Sequence, residues 1–229
     1  MALPAADVEG VSFDGDVGIG FRSQYNFRGF KVGDWAPSLA VHFVFPVSTD
    51  SGLTLKAGAW YINPVKDDND EFGLFVFLAA PVADFNFSLG GTFFDFPESG
   101  GVTGEFGATA SYSVANYVDL ELAWWSDVKA DGAPGDELQF GHYIEFGVGK
   151  SFALKDWLGL EVGAGISYGI DYYGVDGLNH AFGTIGFPMG ISKTTTLTPY
   201  VRGTLALEGL EDIGETDHFL AGISLSVGF

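Results

Sequence analysis

The chain has 229 residues, 10 Lys plus Arg against 30 Asp plus Glu, a formal net charge of −20, 34 glycines and no cysteine. That length suits one domain spanning residues 1–229. The acid excess excludes a nucleic-acid partner, which needs basic patches to meet phosphate, and the missing cysteine excludes disulfide frameworks and thiolate metal sites.

From the first periodic segment onward, apolar residues recur at every second position, the spacing of a β-strand with two different faces. Val17, Ile19 and Phe21 alternate with Gly18, Gly20 and Arg22, and Leu39, Val41, Phe43 and Phe45 alternate with Ala40, His42 and Val44. Leu53, Leu55, Ala57 and Ala59 follow the same rule. Further strands are predicted to begin near Phe72, Phe85, Phe106, Val118, Phe140, Leu158, Phe182, Thr195 and His218, twelve in all. The fourth and tenth alternate poorly. Each predicted strand has about the ~9–11 residues that a tilted strand needs to cross a bilayer.

No membrane helix is predicted. The most apolar run, "FGLFVFLAAPVA" (Phe72–Ala83), is shorter than the ~18–20 residues required and contains Pro81.

The connections alternate in kind. Short ones are "PVSTDSG", "APVAD", "SVANY", "ALKDW" and "GISKT". Longer ones are "QYNFRGFKVGDW", "NPVKDDNDE", "FPESGGVTG", "SDVKADGAPGDE", "DYYGVDGLN" and "EGLEDIGETD". Five short turns and six long loops are the arithmetic of a twelve-stranded up-and-down antiparallel barrel, an all-β transmembrane fold with short periplasmic turns and long acidic extracellular loops. Aromatics mark two girdles: Tyr25, Trp35, Tyr61, Trp124, Trp125 and Tyr168 toward the long loops, and Phe45, Phe85, Phe152 and Trp157 toward the short turns. A soluble barrel would turn the apolar set inward, where Phe, Leu, Ile and Val from twelve strands would overfill it.

The last strand carries Phe219, Ala221, Ile223, Leu225, Val227 and Phe229 on one face. Together, Phe219, Ile223, Leu225, Val227 and Phe229 resemble the assembly signal of bacterial outer-membrane proteins. That resemblance implies recognition by the outer-membrane assembly machinery and closure against the first strand. The Y-x-F-R-G core of "FRSQYNFRGFKVGD" (Tyr25, Phe27, Arg28, Gly29) resembles the TorF-like porin family, and "LKAGAWYIN" and "TFFDFPESGGVTGEFGATASY" follow that family's later strands. The resemblance covers about the first two thirds of the chain. It implies a Gram-negative outer-membrane barrel in contact with the lipid bilayer and lipopolysaccharide. "MALPAADVEG" has neither a basic nor an apolar signal region, so residues 1–11 are predicted to be an N-terminal periplasmic segment whose export signal is absent.

With the apolar set toward lipid, the lumen receives the glycine-rich set, including Gly18, Gly58, Gly90, Gly107, Gly147, Gly165 and Gly222, which should leave space. Arg22, Lys56 and Arg202 fall on strands one, three and eleven, and Glu121, Glu145 and Glu161 on strands seven, eight and nine. Opposed basic and acidic walls resemble the constriction of general porins. Two outcomes follow from the same residues. One is an open channel for small polar solutes, weakly cation-preferring because of its acidic rim; the other is a structural or surface-interaction barrel in which these charges pair and close the lumen.

Catalytic and metal sites are not predicted. His42, His142, His180 and His218 lack the nucleophile pairing of membrane lipases, and Asp217 beside His218 points to the opposite strand face. "FGVGKS" lacks the first glycine of a phosphate loop, having Ile144 there. The clusters Asp67, Asp68, Asp70, Glu71 and Glu208, Glu211, Asp212, Glu215, Asp217 lack calcium-loop spacing, so neither a metal nor another cofactor is expected.

Overall fold

The structure, a computed structural model, describes residues 13–67, 69–98, 100–115, 117–128 and 141–229. The predicted N-terminal segment, Asp68, Phe140 and most of "SDVKADGAPGDE" lie outside the described residues.

Alternation of apolar and small or polar residues produces an antiparallel wall of twelve strands: β1 Asp14–Phe27, β2 Phe30–Ser48, β3 Leu53–Ile62, β4 Glu71–Val82, β5 Phe85–Phe96 and β6 Gly101–Val114, then β7 Val118–Val128, β8 His142–Lys155, β9 Leu158–Tyr172, β10 Val175–Gly186, β11 Thr195–Ala206 and β12 His218–Gly228. Past Gly186 the tenth wall position is interrupted at Pro188, which has no N–H to give, and resumes for two residues at Met189–Gly190. Each strand pairs with its sequence neighbours, and β12 pairs with β1 through Val17↔Val227, Ile19↔Leu225 and Phe21↔Ile223. The barrel is closed, so each of the twelve wall strands has a partner on both sides. Beyond β12, Phe229 exchanges both backbone bonds with Gly15, at 2.9 and 3.2 Å, and its ring meets Phe13 and Phe43.

The outer face is apolar around the wall: Ile19 on β1, Leu39 on β2, Val76 on β4, Leu89 on β5, Leu122 on β7 and Leu205 on β11 are all about half exposed. Among the predicted girdle residues, Trp35, Tyr61, Tyr168, Phe85, Phe152 and Trp157 lie on this exposed surface. Tyr25 and Trp125 do not. Tyr25 is buried inside the barrel, and the Trp125 ring covers Gly107 on the neighbouring strand's inner face.

Two predicted long loops are tight hairpins. "QYNFRGFKVGDW" continues β1 into β2 through Arg28–Gly29, and β9 meets β10 at Tyr173–Gly174. Both turn residues have positive φ in each case, 49° and 93° for Arg28 and Gly29, 49° and 81° for Tyr173 and Gly174, the geometry that suits a two-residue hairpin. Glycine takes the second position without penalty, while Arg28 and Tyr173 occupy a region that L side chains usually avoid. Strand β10 accordingly begins earlier than predicted, at Val175, and β6 also begins early, at Gly101. The described residues include one short helix, Glu208–Glu211, in the β11–β12 connection.

Candidate functional site: the lumen and its inward hairpin

The ladder between β1 and β12 ends at Arg22↔Gly222, and that between β2 and β3 begins at Ser38↔Ile62. Between these points residues 23–37 pair by strand ladder only with each other. Held at its base, where the Trp35 and Pro37 carbonyls accept from the Val65 and Asn63 N–H groups, the hairpin otherwise leaves the wall and its tip crosses the lumen. At its tip Arg28 forms an ion pair with Glu105 of β6 and donates to the Tyr172 hydroxyl of β9 at 2.6 Å. The Arg28 guanidinium lies 4.9 Å from the ring centres of Trp125 and Tyr143 and 5.5 Å from that of Tyr172. Burial works against its charge, but Tyr172 and Glu105 more than offset that, leaving its pKa above the ordinary arginine value. Burial also raises the Tyr173 hydroxyl, helped by Asp127 and Glu105. A Cβ at Gly29 would meet His180, Leu210 and Asn179, so the tip reaches β10 and the short helix as well.

Along the hairpin's flank, the Tyr25 hydroxyl donates to Glu71 of β4 at 2.6 Å, and the Trp60 indole donates to the same carboxylate at 2.7 Å. Phe27 and Trp60 both pack edge-on against Phe94. From outside, the acidic β3–β4 loop holds the second arm: Asp67 accepts from the Asp34 backbone N–H at 2.9 Å, and Asn69 donates to the Val32 carbonyl at 3.1 Å. Phe30 joins Val175, Ala206 and Leu210 in a second apolar cluster. The outer mouth is therefore packed like a soluble core, with Tyr143, Tyr172, His180 and Leu210 almost wholly buried.

The predicted acidic clusters are partly spent on this scaffold. Asp70 accepts from the Tyr61 hydroxyl, Asp217 from the Ala206 N–H at 3.0 Å, and Glu215 faces His218 at 3.2 Å. Among the described residues, no group of three or more His, Asp or Glu is arranged to hold a metal ion.

Inward aromatics fill much of the space that glycines were expected to leave. A Cβ at Gly58, Gly73, Gly90, Gly107, Gly165 or Gly222 would collide with an inward ring, respectively that of Phe75, Trp60, Phe77, Trp125, Phe182 or Tyr200. This explains the poor alternation of the fourth and tenth strands: Phe75, Phe77 and Phe182 point inward, so both faces are apolar. Gly18 and Gly147 are uncovered by rings.

Two cavities among the described residues have charged linings. One, of about 310 Å³, lies beside the hairpin tip and is lined in part by Arg22, Asn26, Arg28, Arg202 and Glu145. The other, of about 440 Å³, lies toward the short β6–β7 turn and is lined in part by Asp119, Glu121, Glu145 and Gly147. Of the six charged lumen residues singled out by sequence, Arg22, Arg202, Glu121 and Glu145 thus border cavities, with Glu145 bordering both. Glu161 lies apart, near Gly186, and Lys56 is an exposed residue of β3. No ion pair joins any of these six among the described residues. The sequence reading missed Glu105, Glu71 and Tyr172 as hairpin anchors. Their only early signal was a carboxylate on the inward parity of β4 and β6, which alternation alone does not pair with Tyr25 or Arg28.

No protein-family profile matches the sequence, and no curated protein does. Solved structures do match over nearly the whole fold. An outer-membrane channel from Pseudomonas putida F1 superposes with a TM-score of 0.62 at 11% identity, covering 99% of this chain and 98% of its own. The NanC porin gives 0.57 at 10% identity over 93% and 98% of the two chains, and the KdgM porin 0.56 at 11% over 93% and 99%. At such identities the likeness is one of fold.

Proposed function

We propose that this barrel sits in a bacterial outer membrane and acts as a porin-like passive channel for small hydrophilic solutes. The observation that carries this reading is a lumen with two charged cavities inside a barrel whose outer face is apolar. Water and polar solutes suit the first environment and hydrocarbon the second. The porin fold of the structural relatives supports it, and so does the Y-x-F-R-G resemblance to the TorF-like family. No step requires a catalytic group, and we take the protein to be a non-enzyme.

Carboxylates at the rim raise local cation concentration within a Debye length of ~8–10 Å, so the channel should prefer cations weakly, and salt should erode the preference. Conductance in planar bilayers is the test. Currents with a cation-shifted reversal potential support the channel. Absence of current in wild type and in a variant lacking the hairpin tip would instead favour a closed, structural barrel, the reading suggested by the hairpin across the outer mouth.

Assembly follows from the same placement. Phe229 closes the β1–β12 seam and sits among Phe13 and Phe43, with Phe43 and Phe45 stacked beside it. As part of an assembly signal it should matter more for delivery than for final stability, because one rim aromatic contributes only about 1–3 kcal/mol of burial. Deleting it should lower outer-membrane abundance several-fold while leaving refolding in detergent micelles intact. Bridging of surface carboxylates to lipopolysaccharide phosphate by divalent ions would show as detergent extraction that depends on chelator.

A further inference from the structure

We propose that the cavity beside the hairpin tip binds the oxyanion of a small organic solute, a carboxylate held between Arg22 and Arg202. This deepens the channel reading and rests on it for its biological meaning, although the binding itself does not depend on permeation. The cavity, about 310 Å³, has room for roughly ten waters at ~30 Å³ each, and so for a solute of monosaccharide size. Three guanidiniums border it. Arg28 is already committed to Glu105, whereas Arg22 and Arg202 form no ion pair among the described residues.

Each lies instead within cation–π range of an aromatic ring. Arg202 lies 4.0 Å above the Phe182 ring and Arg22 5.6 Å from that of Tyr25. A ring contact consumes none of a guanidinium's N–H donors, whose fork matches a carboxylate or phosphate. The Arg22 Nε is buried without a partner, and so are both amide atoms of Asn26 on the same cavity wall. Unmatched polar atoms this close to the cavity leave the Arg22 charge uncompensated by the protein, and an oxyanion in the cavity would compensate it. Glu145 borders the cavity, accepts from the Tyr143 hydroxyl and forms an ion pair with neither arginine, so its charge opposes a bound anion.

Titration calorimetry on protein refolded in micelles at low salt tests this with gluconate, sorbitol (the same chain without the carboxylate) and inorganic phosphate. Gluconate should bind and sorbitol should not. Arg22→Gln and Arg202→Gln should each weaken gluconate on the order of 10-fold, as loss of one charged hydrogen-bonding partner does. Glu145→Gln should tighten it, an effect that a merely structural role would not produce. Heat-modifiable gel migration checks folding, and Arg22→Lys, which keeps charge but loses the fork, replaces any variant that fails to refold and should also bind more weakly. No binding of gluconate, or binding unchanged in the arginine variants, overturns the proposal. Phosphate binding without gluconate overturns the organic-solute assignment. Gluconate binding in a protein that conducts no ions would refute the channel while upholding this site.

Discussion

The two halves of the lumen solve different problems with the same strand pattern. At the outer mouth a hairpin that has left the wall is packed among Tyr143, Tyr172, Phe94 and Trp60, and the Arg28 charge at its tip is matched by Glu105. Toward the short turns, Asp119, Glu121 and Gly147 face a cavity of about 440 Å³. On its packed side the first region meets the Arg28 charge with protein partners, although a cavity of about 310 Å³ remains beside the tip; the second can leave carboxylates to solvent. A barrel interior thus behaves as a protein core or as a water-lined passage according to whether a chain segment enters it.

The sharpest way to break this contrast is Arg28→Ala. It leaves Glu105 buried beside Tyr172 and Asp127 with no cation, and should cost about 3–5 kcal/mol in urea unfolding from micelles. The same variant should raise single-channel conductance several-fold as the tip loses its anchor. Next, Gly73→Ala forces the Trp60 ring away from its seat and from Glu71, with an expected loss of about 1–3 kcal/mol and an altered tryptophan emission spectrum. Tyr25→Phe removes one of two donors to Glu71 and should cost about 1–2 kcal/mol by the same unfolding assay. Gly147→Ala sharpens the comparison from the other side. Its Cβ would have its nearest neighbour 4.0 Å away, so stability should stay within about 0.5 kcal/mol of wild type.

Legibility in the sequence follows the same division. The wall strands are readable because lipid on one face and lumen on the other impose a period of two, and each strand shows it locally. Where both faces are apolar, as at Phe75, Phe77 and Phe182, the period vanishes although the strand remains. The β1–β2 turn escaped for a related reason: Arg28–Gly29 and Tyr173–Gly174 lack the Asn-Gly or Asp-Gly chemistry that announces a two-residue hairpin. A place near strand ends points Tyr25 and Trp125 to a girdle, but the hairpin's departure from the wall draws Tyr25 inward, and Trp125 occupies the inward parity of β7.

By itself, then, the chain determined an acidic, all-β barrel of twelve strands closed by its own last strand, since alternation, strand length and turn spacing are local properties repeated twelve times. Only the tertiary structure decided which charges meet. Arg28 and Glu105 are 77 residues apart, and Arg28 and Tyr172 are 144 apart. No periodicity encodes such partnerships, because they depend on a hairpin bending out of the wall and on barrel closure bringing β6, β8 and β9 within its reach.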